Sequence, residues 1–108
     1  MAIDEGLAHL LREDLAGETI TEKKMFGGLC FILNGNMVTG TMKSSALFRV
    51  GKANDAAALA IPGAYSMIQR DKPMAGFVQL PTEDCGDDAR RSTLSAMALA
   101  FAKSLPPK

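Results

Sequence analysis

Residues 24–36, KMFGGLCFILNGN, place a glycine pair, an apolar run and an asparagine–glycine pair in direct succession. Gly27-Gly28 permits a tight reversal or a bulge that residues with a Cβ would strain. Asn34-Gly35 favours a two-residue hairpin turn, because both residues tolerate a positive φ. The run LCFIL between these two signals therefore predicts a strand with a strand-to-strand junction on each side.

Both alternating faces of this strand are apolar. Leu29, Phe31 and Leu33 should point one way, and Cys30 and Ile32 the other. Such a strand is interior to its sheet and covered on both faces. Either the short middle helix and the terminal helix take opposite faces, or all helices take one face and a second molecule covers the other. We expect the second arrangement, a two-fold homodimer, because symmetric pairing is the commonest oligomeric solution.

The periodicity elsewhere predicts three helices around the strands. Apolar residues recur at helical spacing over 3–16 and 87–104, and a short alanine-rich helix, DAAALA, follows Asn54 as its N-cap. Short runs of β-branched, aromatic and methionine residues predict the strands, at about 20–26, 29–34, 37–43, 46–50, 65–69 and 75–80. RDKPM, residues 70–74, is interpreted as the turn between the last two.

Length and charge favour one domain without a strong overall field. The 108 residues fit a single domain spanning 1–108, with 12 basic and 12 acidic residues. Residues 1–18 hold five acidic residues and one basic residue, whereas 19–80 hold seven basic and three acidic residues. We therefore expect no strong nucleic-acid binding by the domain alone. The absence of a membrane-length apolar run and of a signal-peptide pattern in MAIDEGLAHL predicts a cytoplasmic protein without membrane contact.

Catalytic and metal signatures are missing from the sequence. A phosphate-binding loop needs a helix after its glycines, whereas Gly27-Gly28 precedes a strand. The single histidine, His9, points away from the apolar stripe of its helix, and no cysteine–histidine spacing suggests zinc. A helix N-terminus can lower the pKa of a thiol such as Cys85, but we expect Cys85 and Cys30 to be inert free thiols. We predict no catalytic residues, no metal and no cofactor.

Several motifs together resemble the N-terminal domain of the TfoX/Sxy family. They are KMFGG (24–28) after the first helix, the Asn34-Gly35 hairpin, KPM (72–74) before a strand ending in Pro81, and a closing helix. Two-domain members regulate natural competence and act with the cyclic-AMP receptor protein, whereas this sequence resembles the N-terminal domain alone. The resemblance implies an α+β domain with an antiparallel sheet of five or six strands, an N-terminal helix, a short middle helix and a C-terminal helix.

The resemblance also implies a regulatory or protein-interaction module, linked to transcription or competence, with a transcription regulator as partner. A stand-alone small-molecule-binding domain is the alternative, and an enzyme the least favoured class. For either binding function the candidate binding face consists of residues from the glycine motif and the basic middle segment: Lys24, Met25, Phe26, Gly27, Gly28, Arg49 and Lys72.

Overall fold

Six antiparallel strands form one sheet in the order β1-β2-β3-β4-β6-β5. The structure is a computed structural model that describes residues 4–25 and 27–107. The strands are β1 (Thr21–Met25), β2 (Gly28–Leu33), β3 (Asn36–Thr41), β4 (Ser45–Arg49), β5 (Tyr65–Gln69) and β6 (Lys72–Pro81). The helices are α1 (Glu5–Asp14), α2 (Asp55–Leu59) and α3 (Asp88–Ser104). The predicted α+β fold with three helices and an antiparallel sheet is confirmed.

Two tight hairpins set the register of the sheet. Leu33 pairs with Asn36, and Asn34 has a φ of 53°, which confirms the predicted turn. The second hairpin joins β5 to β6 through Arg70 and Asp71, whose φ values are 52° and 65°. Strand β6 thus begins at Lys72, and the prediction that all of RDKPM forms the turn is wrong beyond Asp71. The predicted strand, 75–80, is too short because proline is a turn signal and Pro73 is therefore assigned to the turn.

All three helices contribute to one hydrophobic core on one face of the sheet. Leu11 of α1, Ala58 of α2 and Ala98 of α3 are fully buried in the same cluster. Leu29, Phe31 and Leu33 of β2 belong to this cluster, whereas Cys30 and Ile32 do not. The alternation predicted for LCFIL is therefore confirmed, and of the two predicted arrangements the helices adopt the one-sided one. We call the opposite side of the sheet the open face.

Local hydrogen bonds explain where the helices begin. Asp4 accepts from the backbone N–H of Leu7 at 3.0 Å, and Asp87 accepts from that of Arg90 at 3.1 Å, so both residues cap their helices. Asn54 occupies the predicted N-cap position of α2, but its side chain makes no capping hydrogen bond. Its side-chain amide donates instead to the backbone carbonyl of Val50 at 3.3 Å.

A buried ion pair joins the first helix to the last. The guanidinium of Arg91 in α3 donates two hydrogen bonds to the carboxylate of Asp14 in α1, at 2.9 and 3.1 Å. The same guanidinium donates to the backbone carbonyl of Cys85 at 2.8 Å, and Ser95 donates to Asp14 at 2.8 Å. Only 6% of the Arg91 side chain and 8% of the Asp14 side chain are exposed. The hydrogen bonds to Asp14 raise the pKa of Arg91, so this guanidinium stays charged.

Candidate interaction surface

The open face carries an apolar groove. Its lining residues come from four strands and are Met37, Leu47, Met67, Gln69, Met74 and Phe77. The groove has a volume of about 400 Å³. Leu47 forms its floor and is only 2% exposed, although within the described residues no helix contributes to this lining. Side chains of the sheet itself, three of them methionines, therefore surround Leu47.

The chemistry of this lining suits a surface that adapts to what it contacts. Methionine is unbranched and has a polarizable sulfur, so it changes conformation at little cost and recurs at adaptable binding surfaces. Met37, Met67 and Met74 are each partly exposed around the buried Leu47. The groove therefore combines a fixed floor with flexible walls.

The charged side chains that the six strands present to the open face are all positive. Glu22 is the only acidic residue in the six strands. It pairs with Phe31, whose side chain faces the helices, and Arg12 donates to it at 2.7 Å. This hydrogen bond holds the pKa of Glu22 below its usual range. Because paired residues share a face, the carboxylate lies on the helix side, and the strands present no carboxylate to the open face.

Arg49 lies between two aromatic rings at one end of the groove. Its guanidinium carbon is 5.8 Å from the centroid of Phe77 and 5.3 Å from that of Phe101. Such cation–π contacts orient a guanidinium without neutralising its charge. A cleft of about 120 Å³ adjoins Arg49 and is also lined by Lys52. Among the described residues, no carboxylate forms an ion pair with Arg49.

The residues of the candidate binding face separate into two groups in the structure. Arg49 pairs with Phe77 and Lys72 pairs with Gln69, so both cations flank the groove, which Phe77 and Gln69 line. Lys24 lies three strands from Arg49 and at the other end of the sheet, which we place at about 17 Å from strand spacing and rise.

Met25, Gly27 and Gly28 lie at the same end as Lys24, where β1 turns into β2. Phe26 lies outside the described residues. The structure thus brings Arg49 and Lys72 to one groove and leaves the glycine motif apart from it.

Glycine is needed at positions 27 and 28 for two different structural reasons. Gly27 has a φ of +74°, in the region that favours glycine, as the sequence predicted for one of the pair. Gly28 lies against the end of β3, where an added Cβ would be 1.9 Å from the backbone oxygen of Thr41. The Thr41 hydroxyl there accepts a hydrogen bond from the backbone N–H of Leu29 at 2.9 Å. The pair therefore serves the junction of three strands.

The residues considered for catalysis lie apart from one another. His9 is on the outer surface of α1 beside Glu13, with 65% of its side chain exposed. Cys85 is 1% exposed, and burial raises its pKa to about 11, so the lowered pKa considered from its position before α3 is wrong. Burial also raises the pKa of Cys30, and both cysteines are free thiols, as predicted.

The described residues contain neither a metal-ligand cluster nor a membrane-spanning helix. Across 4–25 and 27–107, no three histidine, cysteine, aspartate or glutamate side chains cluster in a way that could hold a metal ion. Within the same part of the chain, every helix is too short or too polar to cross a membrane.

Comparison with protein families identifies a family to which this sequence is similar. The sequence model of the TfoX N-terminal domain matches residues 11–102, which is nearly the whole chain. The chain belongs to the TfoX N-terminal domain family. A comparison with curated proteins finds no match. The matched range contains every strand of the TfoX N-terminal domain described here, including the groove and the glycine pair.

Sequence reasoning found part of this surface. Arg49 and Lys72 were identified from the basic middle segment, whereas Leu47, Met67 and Phe77 were not. The strand SALFR contains the signal in its alternation, because Leu47 and Arg49 share one face while Ala46 and Phe48 share the other. The bulged pairing of β5 with β6, which brings Met67 and Met74 together, has no comparable signal.

Proposed function

We propose that this TfoX N-terminal domain is a protein-interaction module that binds a partner of the transcription or competence machinery through its open face. The observation that carries the proposal is the groove around Leu47 with the stacked Arg49 at its end, where no carboxylate of the described residues pairs with the guanidinium. Family membership supports the regulatory role, and the groove supports the open face as the surface that binds the partner.

The chemistry of the surface defines the partner segment that fits it. An apolar side chain would enter the groove against Leu47, because burying apolar surface is the main favourable term in association. A carboxylate about 7 Å further along would reach Arg49, since two strand residues on one face are separated by that distance. Lys72 flanks the groove as a second cation. The expected partner segment is therefore acidic and apolar.

Peptide selection tests this function and does not require the partner to be identified. A random peptide library is selected against the wild-type domain and against Arg49→Glu. Lys23→Glu is the matched control, because Lys23 is an exposed cation on the same face but on edge strand β1, which is separated from the groove by β2. We expect wild type and Lys23→Glu to enrich peptides with acidic residues beside an apolar anchor, and Arg49→Glu to enrich basic residues instead.

The result is interpretable only for folded variants, so each is first checked by thermal unfolding. Recovery of the same peptides by wild type and Arg49→Glu would refute the role of Arg49. No enrichment with any folded domain would refute the interaction surface as a whole.

Small-molecule binding is the second candidate, favoured by one observation. The groove volume of about 400 Å³ falls within the range of about 300–1,000 Å³ that small-ligand sites occupy. A thermal-shift screen with metabolites and nucleotides tests it. A saturable rise in melting temperature that is lost in Met74→Lys and kept in Lys23→Glu would support a ligand in the groove.

A further inference from the structure

The two edges of the sheet differ sharply in how they are protected. Exposed strand edges present unpaired backbone groups, and proteins block unwanted pairing with charged side chains. Strand β1 carries Glu22, Lys23 and Lys24 among its five residues. Strand β5, YSMIQ, forms the other edge and has no charged residue.

The exposed large hydrophobic side chains of the described chain lie on the uncharged edge. They are Tyr65 and Ile68, which are 42% and 58% exposed. Burying an exposed large side chain is favourable, and a strand edge provides both backbone donors and acceptors for a partner strand. The edge of β5 thus combines apolar side chains with unpaired backbone and lacks the charges that protect β1.

We propose that two copies of this chain pair through the edges of β5, in an antiparallel two-fold arrangement centred on Met67. In this register Met67 lies opposite Met67, and Tyr65 of each copy lies opposite Gln69 of the other. Met67 and Gln69 line the groove and Tyr65 pairs with Gln79, in the row that contains Leu47, so the paired residues share the open face. The two sheets join into one of twelve strands.

A second copy fits this edge better than the open face. Two open faces packed together would bring their cations, including Arg49, into one interface without a carboxylate from either sheet, which costs free energy. The β5 edge brings no like charges together, because it has none. Pairing at Met67 also joins the two Leu47 grooves into one apolar trough, and leaves both available to a partner. The dimer contact therefore adjoins the groove proposed to bind the partner, but it is made by the free backbone edge of β5.

Solution mass measures the first consequence. Light scattering over a dilution series should give about twice the 11.5 kDa chain mass at high concentration for wild type. Ile68→Lys places a charge on the exposed edge and should give the single-chain mass. Thr21→Lys adds the same charge to the exposed edge strand β1 and should behave as wild type. A single-chain mass for wild type at every concentration would overturn the proposal.

Cross-linking tests the register. Met67→Cys should form a disulfide-linked dimer under mild oxidation, because the two new thiols face each other across the axis. Thr21→Cys should remain a single chain, and the natural cysteines do not compete because they are 3% and 1% exposed. A wild-type dimer that survives Ile68→Lys and yields no linked Met67→Cys would refute edge pairing and indicate another interface.

Discussion

Replacing Gly27 and Gly28 one at a time should separate two kinds of constraint at adjacent positions. Gly27→Ala adds a Cβ that meets no atom within 4 Å, so its cost comes from the backbone alone. An alanine at a φ of +74° should lower the free energy of unfolding by about 1–2 kcal/mol. Gly27→Asn should cost less than Gly27→Ala, because asparagine tolerates this conformation.

Gly28→Ala should cost more, because its Cβ would lie 1.9 Å from the Thr41 oxygen. The end of β3 must move by about 1.5 Å to reach ordinary van der Waals contact, in an interior packed to crystal-like density. That displacement breaks the 2.9 Å hydrogen bond from Leu29 to Thr41. Overpacking of about 1–3 kcal/mol and a lost buried hydrogen bond of about 1–3 kcal/mol together give about 2–6 kcal/mol. Gly28→Asn should be no better than Gly28→Ala.

Denaturant unfolding followed by circular dichroism measures all four variants against wild type. The domain's total stability is expected to be about 5–15 kcal/mol, so Gly28→Ala can leave a partly unfolded population in water. Equal stability of Gly28→Ala and Gly27→Ala would contradict the steric constraint at Gly28, and a Gly27→Asn variant no more stable than Gly27→Ala would contradict the backbone constraint at Gly27.

Three further outcomes follow from buried groups and charge. Asp14→Ala should cost at most about 3–5 kcal/mol, because it removes two hydrogen bonds from the buried Arg91 and leaves the exposed Asp88 as its remaining carboxylate partner. Asp14→Leu combined with Arg91→Met should cost much less than the sum of the two single changes, and additive costs in denaturant unfolding would contradict this. The free energy of unfolding should fall as the pH rises from about 9 to 11, because the unfolded chain loses the Cys85 proton at a lower pH than the folded chain does. Cys85→Ala should reduce that fall when unfolding is measured as a function of pH. The domain alone should bind DNA weakly because its net charge is zero, and a sub-micromolar, sequence-dependent gel shift at physiological salt would contradict this.

Local signals in the sequence predicted most of the fold. The Asn34-Gly35 turn and the alternation of LCFIL specify a hairpin and an interior strand through backbone preferences that act over a few residues. The same reasoning gave the N-cap position of Asn54 correctly but not its hydrogen bond, because its amide donates to the backbone carbonyl of Val50 and does not cap α2. Local capping rules do not include such competing acceptors.

The candidate site was only partly predictable for a related reason. Arg49 is a visible cation in the sequence, but its stacking on Phe101 depends on where α3 crosses the sheet. Arg91 is a comparable case, since a helix pattern assigns arginine to the solvent side and only the position of Asp14 makes its burial favourable. The environments of both side chains depend on contacts between elements that are distant in sequence. The periodicity of a single sequence carries no information on such contacts.

The ion pair between α1 and α3 also dictates an order of events during synthesis. Asp14 and Arg91 are separated by 77 residues, so α1 leaves the ribosome long before its charged partner exists. Until α3 arrives, the helix side of β4 is uncovered and that of β3 is covered only by α1, so the nascent chain presents apolar surface on both sides of its sheet. The slow step should therefore be the docking of the last helix rather than the formation of the early hairpins, which close locally and fast. A chaperone that recognises exposed apolar strands would meet this chain in that interval.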